Sequence, residues 1–509
     1  MNRTAADSGS VPDPDPDPDP DPVPVPGSVQ TVPLRPVPGP RGLPWLGNLP
    51  AFGKDPLVFM ARLRDEYGDA VTWSLGPRRS LFLSHPQHIA EFLASREHAY
   101  DLLDVGWAFQ QITGESVIRS TGADWRRKRG LVQPAVRPRQ VRRYARTMVG
   151  SALATADRWR EGEQVDVRRE MTLLTQCVVL RTLFGNDLGD RAQALGEAMA
   201  VAEHVVGAEL RGIGLFLPGW VRTPSRRRLL DAVATIDAEV HRLIGARRDG
   251  AGAEGADGRR WTEGRTEGRI EPRTDGAGED GEGGRDDDLL TRLLEAADEE
   301  QRPLSAKEVR DEAVTLWAAG HETTSTALTW IWCLLSRSPE VRARLDDELD
   351  RVLGGRPPTV DDHEQLHWTR QIVKEALRIY PPAWVIAAVA REGAVLGGTV
   401  VPAGTAVWCS QWTAHRDPRW FPDPTAFRPE RWDADAPDAI PDHAWFPFGG
   451  GSRACIGARF AQVEAVLLLA TLAQRFHLEV TPEEAPHQIG ILIQPAVPLV
   501  GTVRVRPRS

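Results

Sequence analysis

Cys455 lies in the run Phe446-Pro-Phe-Gly-Gly-Gly-Ser-Arg-Ala-Cys-Ile-Gly457, a loop suited to holding a thiolate close to a flat ligand. Gly449, Gly450 and Gly451 keep side chains off one approach to the sulfur, and Gly457 leaves the far side equally open. The stretch Ala458 to Gln474 reads as a helix, so Cys455 sits at a helix N-terminus, where free N–H groups favour negative charge. Arg453 adds a cation two residues away. Both influences are expected to depress the cysteine pKa and supply the thiolate that a metal requires.

Other chemistries fit parts of the same loop. Gly449-x-Gly451-x-x-Ala454 meets the relaxed dinucleotide-binding fingerprint, with a helix after it and a strand at Phe476 to Val480 that carries Glu479. Against that reading, Pro447 stands where a buried central strand should run, and Arg453 sits oddly on a phosphate turn. Gly450-x-Ser452-x-Ala454 resembles a hydrolase nucleophile elbow but lacks a clean preceding strand. No Cys or His stands at zinc-ligand spacing from Cys455, and Cys-x-x-Cys-His is absent. A dinucleotide-dependent oxidoreductase built on Gly449 to Ala454 stays open as the competing function.

Taken whole, Phe448-x-x-Gly451-x-Arg453-x-Cys455-x-Gly457 resembles, at every fixed position, the haem-binding signature of the cytochrome P450 monooxygenases. The resemblance implies haem b (iron protoporphyrin IX) with Cys455 as the iron's ligand and Arg453 on a propionate, the loop being completed by Phe448, Gly451 and Gly457. It also implies a mostly α fold with small β-sheets (α+β), one haem-binding domain and a long central helix carrying an oxygen-binding groove. A non-catalytic haem-binding relative is the second alternative.

The elements that must position the loop can be read independently. Ser305-x-x-Glu308 is a capping box, and Val309, Ala313, Leu316 and Trp317 recur at helical spacing, so a helix should run from there to about Arg337, before Ser338-Pro339. Its middle, Ala319-Gly-His-Glu-Thr-Thr324, places a glycine, an acid and two hydroxyls where glycine alone costs roughly 1 kcal/mol against alanine. By resemblance Gly320 leaves room for dioxygen, while Thr323 and Glu322 deliver protons. A hydroxyl backed by a carboxylate suits that relay. His321 is read as incidental.

Glu375 and Arg378 are three apart on a helical stretch that ends at Pro381-Pro382. With Arg431, in Phe427-Arg-Pro-Glu-Arg-Trp432, they resemble the family's Glu-Arg-Arg structural network. Trp125 and Arg129 share a helical face in Gly122-Ala-Asp-Trp-Arg-Arg-Lys-Arg129 and resemble the family's pair of propionate contacts. A further propionate-binding arginine of many relatives is missing, since its place falls at Ala388, with Arg391 out of register. Haem anchoring is then expected to lean on Trp125, Arg129 and Arg453. Arg126, Arg127 and Lys128 form a basic cluster expected to face solvent and dock an acidic ferredoxin, with ordinary solubility as the competing explanation.

Global features fit one enzyme domain. The 509 residues carry 41% hydrophobic content and a formal charge of −9, which gives no nucleic-acid footprint. Residues 1–35 form an Asp-Pro-rich tail expected to be disordered, and 36–509 form the domain, interrupted by a low-complexity insert at 249–287 that is expected to be flexible. No signal peptide and no membrane anchor are apparent. Cys177, Cys333 and Cys409 lie in apolar contexts, as buried thiols of a reducing cytoplasm do. Lys54, Lys128, Lys307 and Lys374 are the only lysines against abundant arginine, a bias of GC-rich bacteria. The resemblance implies electrons from a separate ferredoxin and its reductase, a monomeric enzyme, and a lipophilic substrate such as a terpenoid, fatty acid or polyketide. The pocket is expected to use Tyr100 to Val117, Trp317 to Thr324, Ala383 to Val389 and Ile489 to Ile493. Trp107, Phe109, Trp384, Val385, Ile386, Ile491 and Leu492 would make it oily.

Overall fold

The capping box forms as its spacing predicts: Ser305 accepts from the Glu308 N–H at 3.2 Å, and Glu308 accepts from the Ser305 N–H at 2.8 Å. The helix runs from Ala306 to Ser336, about 46 Å at 1.5 Å per residue, and Pro339 opens the next one.

The computed structural model describes residues 33–185, 191–211, 217–258, 288–298, 302–433, 435–436, 440–482 and 485–506. Among them the helices are α1 (Leu49–Lys54), α2 (Pro56–Tyr67), α3 (Pro86–Ala99), α4 (Trp107–Thr113), α5 (Gly122–Val132), α6 (Pro138–Ala156), α7 (Val167–Phe184), α8 (Arg191–Arg211), α9 (Pro224–Gly258), α10 (Leu289–Glu295), α11 (Ala306–Ser336), α12 (Pro339–Leu353), α13 (His367–Ile379), α14 (Gln411–Ala414) and α15 (Ala458–Ala473). The strands are β1 (Val37–Pro38), β2 (Ala70–Leu75), β3 (Arg78–Leu83), β4 (Tyr100–Leu102), β5 (Gln164–Asp166), β6 (Ile386–Ala390), β7 (Val395–Leu396), β8 (Thr399–Val400), β9 (Ala406–Cys409), β10 (Phe476–Thr481), β11 (His487–Ile489), β12 (Ile493–Pro495) and β13 (Val500–Val505). Helices dominate and the sheets are small, the α+β arrangement expected.

Helix α11 is the axis of the helical part. Its first half, through Trp317, shares a core with α4, α7, α8, α9 and α10. Its second half, with Trp330 and Trp332, joins α6, α12, α13 and α15 in another. Trp330 stacks on Tyr380 at 3.9 Å, and its indole N–H donates to the Ile493 carbonyl at 3.2 Å, so this buried ring keeps both its apolar and its polar partner.

The largest sheet has the order β1-β2-β3-β9-β6-β4 and a core on each face. Phe92 and Leu93 of α3 cover one face, together with Ile386 and Ala388. Trp73, Trp408 and Trp384 fill the other, with Val385 and Ala387 against them. That corrects part of the expected pocket lining. Trp384 and Val385 lie just before β6 and both pack into this core, where the Trp384 indole donates to the Gly490 carbonyl at 3.1 Å.

Strand β10 forms where the dinucleotide reading needs a parallel strand, but it pairs antiparallel with β13. Before the glycine loop the described residues show only an isolated bridge between Asp442 and Trp445. The β-α-β unit of that alternative is therefore not formed. Helix α9 continues through residues 249–258, which were expected to open a flexible insert; the remainder of that segment, 259–287, and most of the 1–35 tail lie outside the described residues. Among the described residues no helix is long and apolar enough to cross a membrane.

Candidate active site

The cysteine loop is pressed against α3. Gly449 and Gly451 adopt φ of 71° and 64°, and a Cβ on Gly451 would lie 2.3 Å from the Leu93 carbonyl oxygen, so backbone conformation and space both demand glycine at 451. The Cys455 N–H donates to the Phe448 carbonyl at 2.8 Å, which closes the loop, and α15 starts at Ala458 with Gly457 at its N-cap. The thiol is accessible although it lies deep in the protein. Burial raises its pKa, while the Gly457 N–H and the Arg129 charge oppose the rise. The expected depression is thus not found. Desolvation outweighs the helix terminus, and Arg453 points elsewhere, its guanidinium donating to the Ser120 carbonyl at 2.7 Å over the Trp125 ring at 4.6 Å.

Helix α5 brings its pair to the same loop. Trp125 is buried beneath Arg453, and Arg129 donates to the Ala454 carbonyl at 2.8 Å. Burial pushes the Arg453 pKa down to about 10, with repulsion from Arg96, Arg391 and Arg129 adding to it. Among the described residues neither Arg129 nor Arg453 has a carboxylate partner. The donor set therefore fits the haem that the resemblance implies: one accessible thiol for iron, and unpaired guanidiniums where the group presents two carboxylates.

The basic cluster on α5 divides differently from expectation. Lys128 is buried and donates to the Glu115 carbonyl, the Ser120 hydroxyl and Asp124. Arg127 is paired with Asp298 and Glu308. Only Arg126 faces solvent, bound to Glu97 at 2.8 Å. Residues 126 to 128 span most of a helical turn and so cannot all share the outer face.

Facing the loop is the middle of α11. In this largely buried helix Leu316, Ala319, Gly320 and Thr323 keep partial or full access, a stripe at i, i+3, i+4 and i+7. Ile456, next to the cysteine, joins the same apolar cluster as Leu316 and Ala318. The Thr323 hydroxyl donates to the Ala319 carbonyl at 2.8 Å, the i−4 back-bond of a helical threonine. A Cβ on Gly320 would meet Val179 of α7 at 3.3 Å, so the glycine also serves helix packing.

Glu322 turns off this stripe into a polar cluster. It accepts from the Gln494 amide at 2.6 Å and lies 3.9 Å from Arg168, whose side chain is 40% exposed and reaches solvent. Glu203 of α8 completes the group. Burial and the Glu322 charge hold the Glu203 pKa well above the carboxylate range, and burial also raises that of Glu322. Burial of two neighbouring carboxyls favours their protonated forms over those of free carboxylates. His321 contributes no charge: burial lowers its pKa to about 4, its Nδ1 donates to the Trp317 carbonyl at 2.8 Å, and its Nε2 lies 3.5 Å from Glu203.

Glu375, Arg378 and Arg431 meet behind the loop. Glu375 accepts from Arg378 Nε at 2.9 Å, from Arg431 Nε at 2.9 Å, from the Trp432 indole at 3.0 Å and from the Arg428 N–H at 3.1 Å. Arg378 also donates to the carbonyls of His415, Pro424 and Ala426. His415, which sequence reasoning missed, is kept neutral by burial and accepts the Phe446 N–H at 2.9 Å, tying the network to the start of the cysteine run.

Of the expected pocket residues, Ile386 approaches the loop, since a Cβ on Gly449 would lie 3.5 Å from it. Trp107 lies under Arg226 and Arg222, at 4.7 and 5.3 Å, so this end is not free of charge. Ile491 is exposed and Leu492 buried. Glu203, Arg168 and Gln494 had no local signal in the sequence, being remote from Glu322 along the chain.

The profile of the family described as Cytochrome P450 matches residues 37–498. Cyclooctatin synthase of Streptomyces melanosporofaciens is 34% identical over 87% of this chain and 90% of its own length. Cyclooctat-9-en-7-ol 5-monooxygenase of the same organism is 32% identical, covering 87% and 89%. Pentalenene oxygenase of Streptomyces avermitilis is 32% identical, covering 87% and 91%.

Proposed function

The chain belongs to the cytochrome P450 family, and from that premise we propose that it oxidises a terpenoid, with Cys455 as the ligand of its haem iron. As a member it is a haem monooxygenase that takes electrons from redox partners and places one atom of dioxygen in a lipophilic substrate. The observation that carries the assignment is the accessible Cys455 thiol in a loop whose glycines admit a flat group. The bound haem supplies oxygen activation, and a thiolate ligand favours O–O cleavage.

The remaining roles belong to side chains. Arg129 and Arg453, with Trp125, hold the carboxylate edge of the cofactor; Phe448, Gly451 and Gly457 shape the loop. Thr323, on the accessible stripe beside Gly320, orients water and passes protons. Glu322 reloads it from the pair it forms with Glu203, and Arg168 links that pair to solvent. The Glu375–Arg378–Arg431 network keeps the loop in place and has no chemical step. Residues 36–509 act as one domain and as a monomer.

A terpenoid substrate is the reading favoured by the names of the relatives, which include oxygenases of pentalenene and cyclooctat-9-en-7-ol. It places the enzyme in bacterial secondary metabolism. A ferredoxin and its reductase are the proposed donors, docking where Arg126 of α5 and Arg459 of α15 are exposed on either side of the loop. A cytoplasmic location suits the four cysteines, all free thiols.

The test is the carbon monoxide difference spectrum of the reduced protein beside that of Cys455→Ser. A red-shifted thiolate-type Soret band that vanishes in the variant is the expected result. Retention of that band by Cys455→Ser would remove Cys455 from the iron.

A further inference from the structure

Helix α3 turns one apolar stripe towards the sheet: Ile89, Phe92 and Leu93 are fully buried there. The next position on that stripe is Arg96, three residues past Leu93 and four past Phe92. Its Nε is buried and makes no hydrogen bond, and among the described residues it has no ion-pair partner. The nearest acids in sequence are taken: Glu97 binds Arg126 at 2.8 Å, and Asp101 binds Arg391 at 2.7 Å. A buried cation with no counter-ion is costly and calls for an anion.

Its surroundings define where that anion lies. Arg96 is close enough to Arg453 to repel it, and close to Cys409 at the end of β9. Cys409 pairs in register with Ile386, and two residues along β6 stands Ala388, on the same face. Ala388 offers no charge on that face. Arg96 thus stands one turn from Leu93, whose backbone supports the cysteine loop, on the side of β6 and β9 that carries Ala388 and Cys409.

We propose that Arg96 of α3 binds a haem propionate, approaching it from the helix side of the cysteine loop, next to Arg453. The proposal rests on Cys455 holding the iron, because that fixes the loop edge at which the carboxylates lie. Arg96 with Arg453 then clamps them from α3 and the loop, opposite Arg129 on α5.

Transfer of haem from the ferric holoenzyme to excess apomyoglobin tests this, with circular dichroism of each holoenzyme as the check on folding. Arg96→Met is expected to release haem about tenfold faster or more, in line with loss of one charge-assisted hydrogen bond, while keeping its thiolate band. Arg96→Lys should lie between it and the wild type, and Arg96→Met/Ala388→Arg should recover slow release by returning the cation to the strand. Unchanged release in Arg96→Met overturns the proposal. Should Arg96→Met accumulate no holoenzyme, its recovery in the double variant supports the proposal and failure of both variants overturns it. A wild-type protein without a thiolate band would instead defeat the Cys455 assignment, so the two failures are distinguishable.

Discussion

Glu375 with Arg378 and Arg96 with Arg453 are both clusters of buried charge beside the cysteine loop, yet one is closed and the other open. Glu375 itself finds partners within 3.1 Å in two guanidiniums, an indole and a backbone N–H. Around Arg96 and Arg453 like charges face one another, and the one acid acting on Arg453, Glu97, is already bound to Arg126. The closed cluster balances its charge from within the chain; the open one is where the proposed haem carboxylates would supply the missing charge. Beside α11 the imbalance has the opposite sign, since among the described residues the largely buried Glu203 and Glu322 have only Arg168, 3.9 Å from Glu322, as a neighbouring cation. Unbalanced charge is what the proposed ligand-anchoring and proton-delivering sites share.

The contrast can be broken most severely at its closed end. Glu375→Ala leaves Arg378 and Arg431 buried without their carboxylate, a loss of about 3–5 kcal/mol, and is expected to abolish soluble, haem-loaded protein as judged by absorbance and circular dichroism. A variant that folds and binds haem normally would remove the distinction between the clusters. At the open end, Glu322→Gln should leave fold and thiolate band intact while lowering product formation about 100-fold, with the electron donor still consumed. Parallel loss of fold would make Glu322 a structural group instead.

Acidity sharpens the comparison further. Glu464 of α15 is fully buried without a cation, and burial raises its pKa from 4.5 to about 8. Glu312 behaves similarly, also reaching about 8. Between these values the folded protein keeps protons that the unfolded chain gives up, so stability should fall as pH rises from about 5 to 8. Glu464→Gln should flatten that decline, measured as the urea midpoint at the two pH values; an equally steep decline would show that Glu464 does not carry it. The smallest effect belongs to the surface. Arg126→Glu is expected to slow reduction by a ferredoxin a few-fold at low salt, with the difference fading as salt screens it. Equal rates at low salt would exclude Arg126 from docking.

Much of the site was legible because its devices are local. The Ser305-x-x-Glu308 cap, the period of α11 and the glycines around Cys455 each act within a few residues, so spacing alone reveals them. Arg96 left a weaker trace, a cation on the apolar stripe of Ile89, Phe92 and Leu93, which is visible only once the helix face is known. Lys128 was misjudged because its partners are the Glu115 carbonyl and the Ser120 hydroxyl, in the loop that precedes its helix. Trp384 lies just before β6 and packs with Trp73 and Trp408, residues too distant in the chain for spacing to reveal the contact.

The sequence alone determined the central helix and its ends, the glycine loop with its cysteine, and the Glu375–Arg378 spacing, because backbone sterics and helical periodicity operate over short distances. Only the tertiary structure decided which charges are neutralised. Glu322 met Gln494, Arg168 and Glu203, and Arg96 met Arg453, from distant parts of the chain. Desolvation at their meeting points, rather than local residue type, sets the charge that each group carries. For Cys455 that balance went against the local expectation, as burial outweighed the helix terminus.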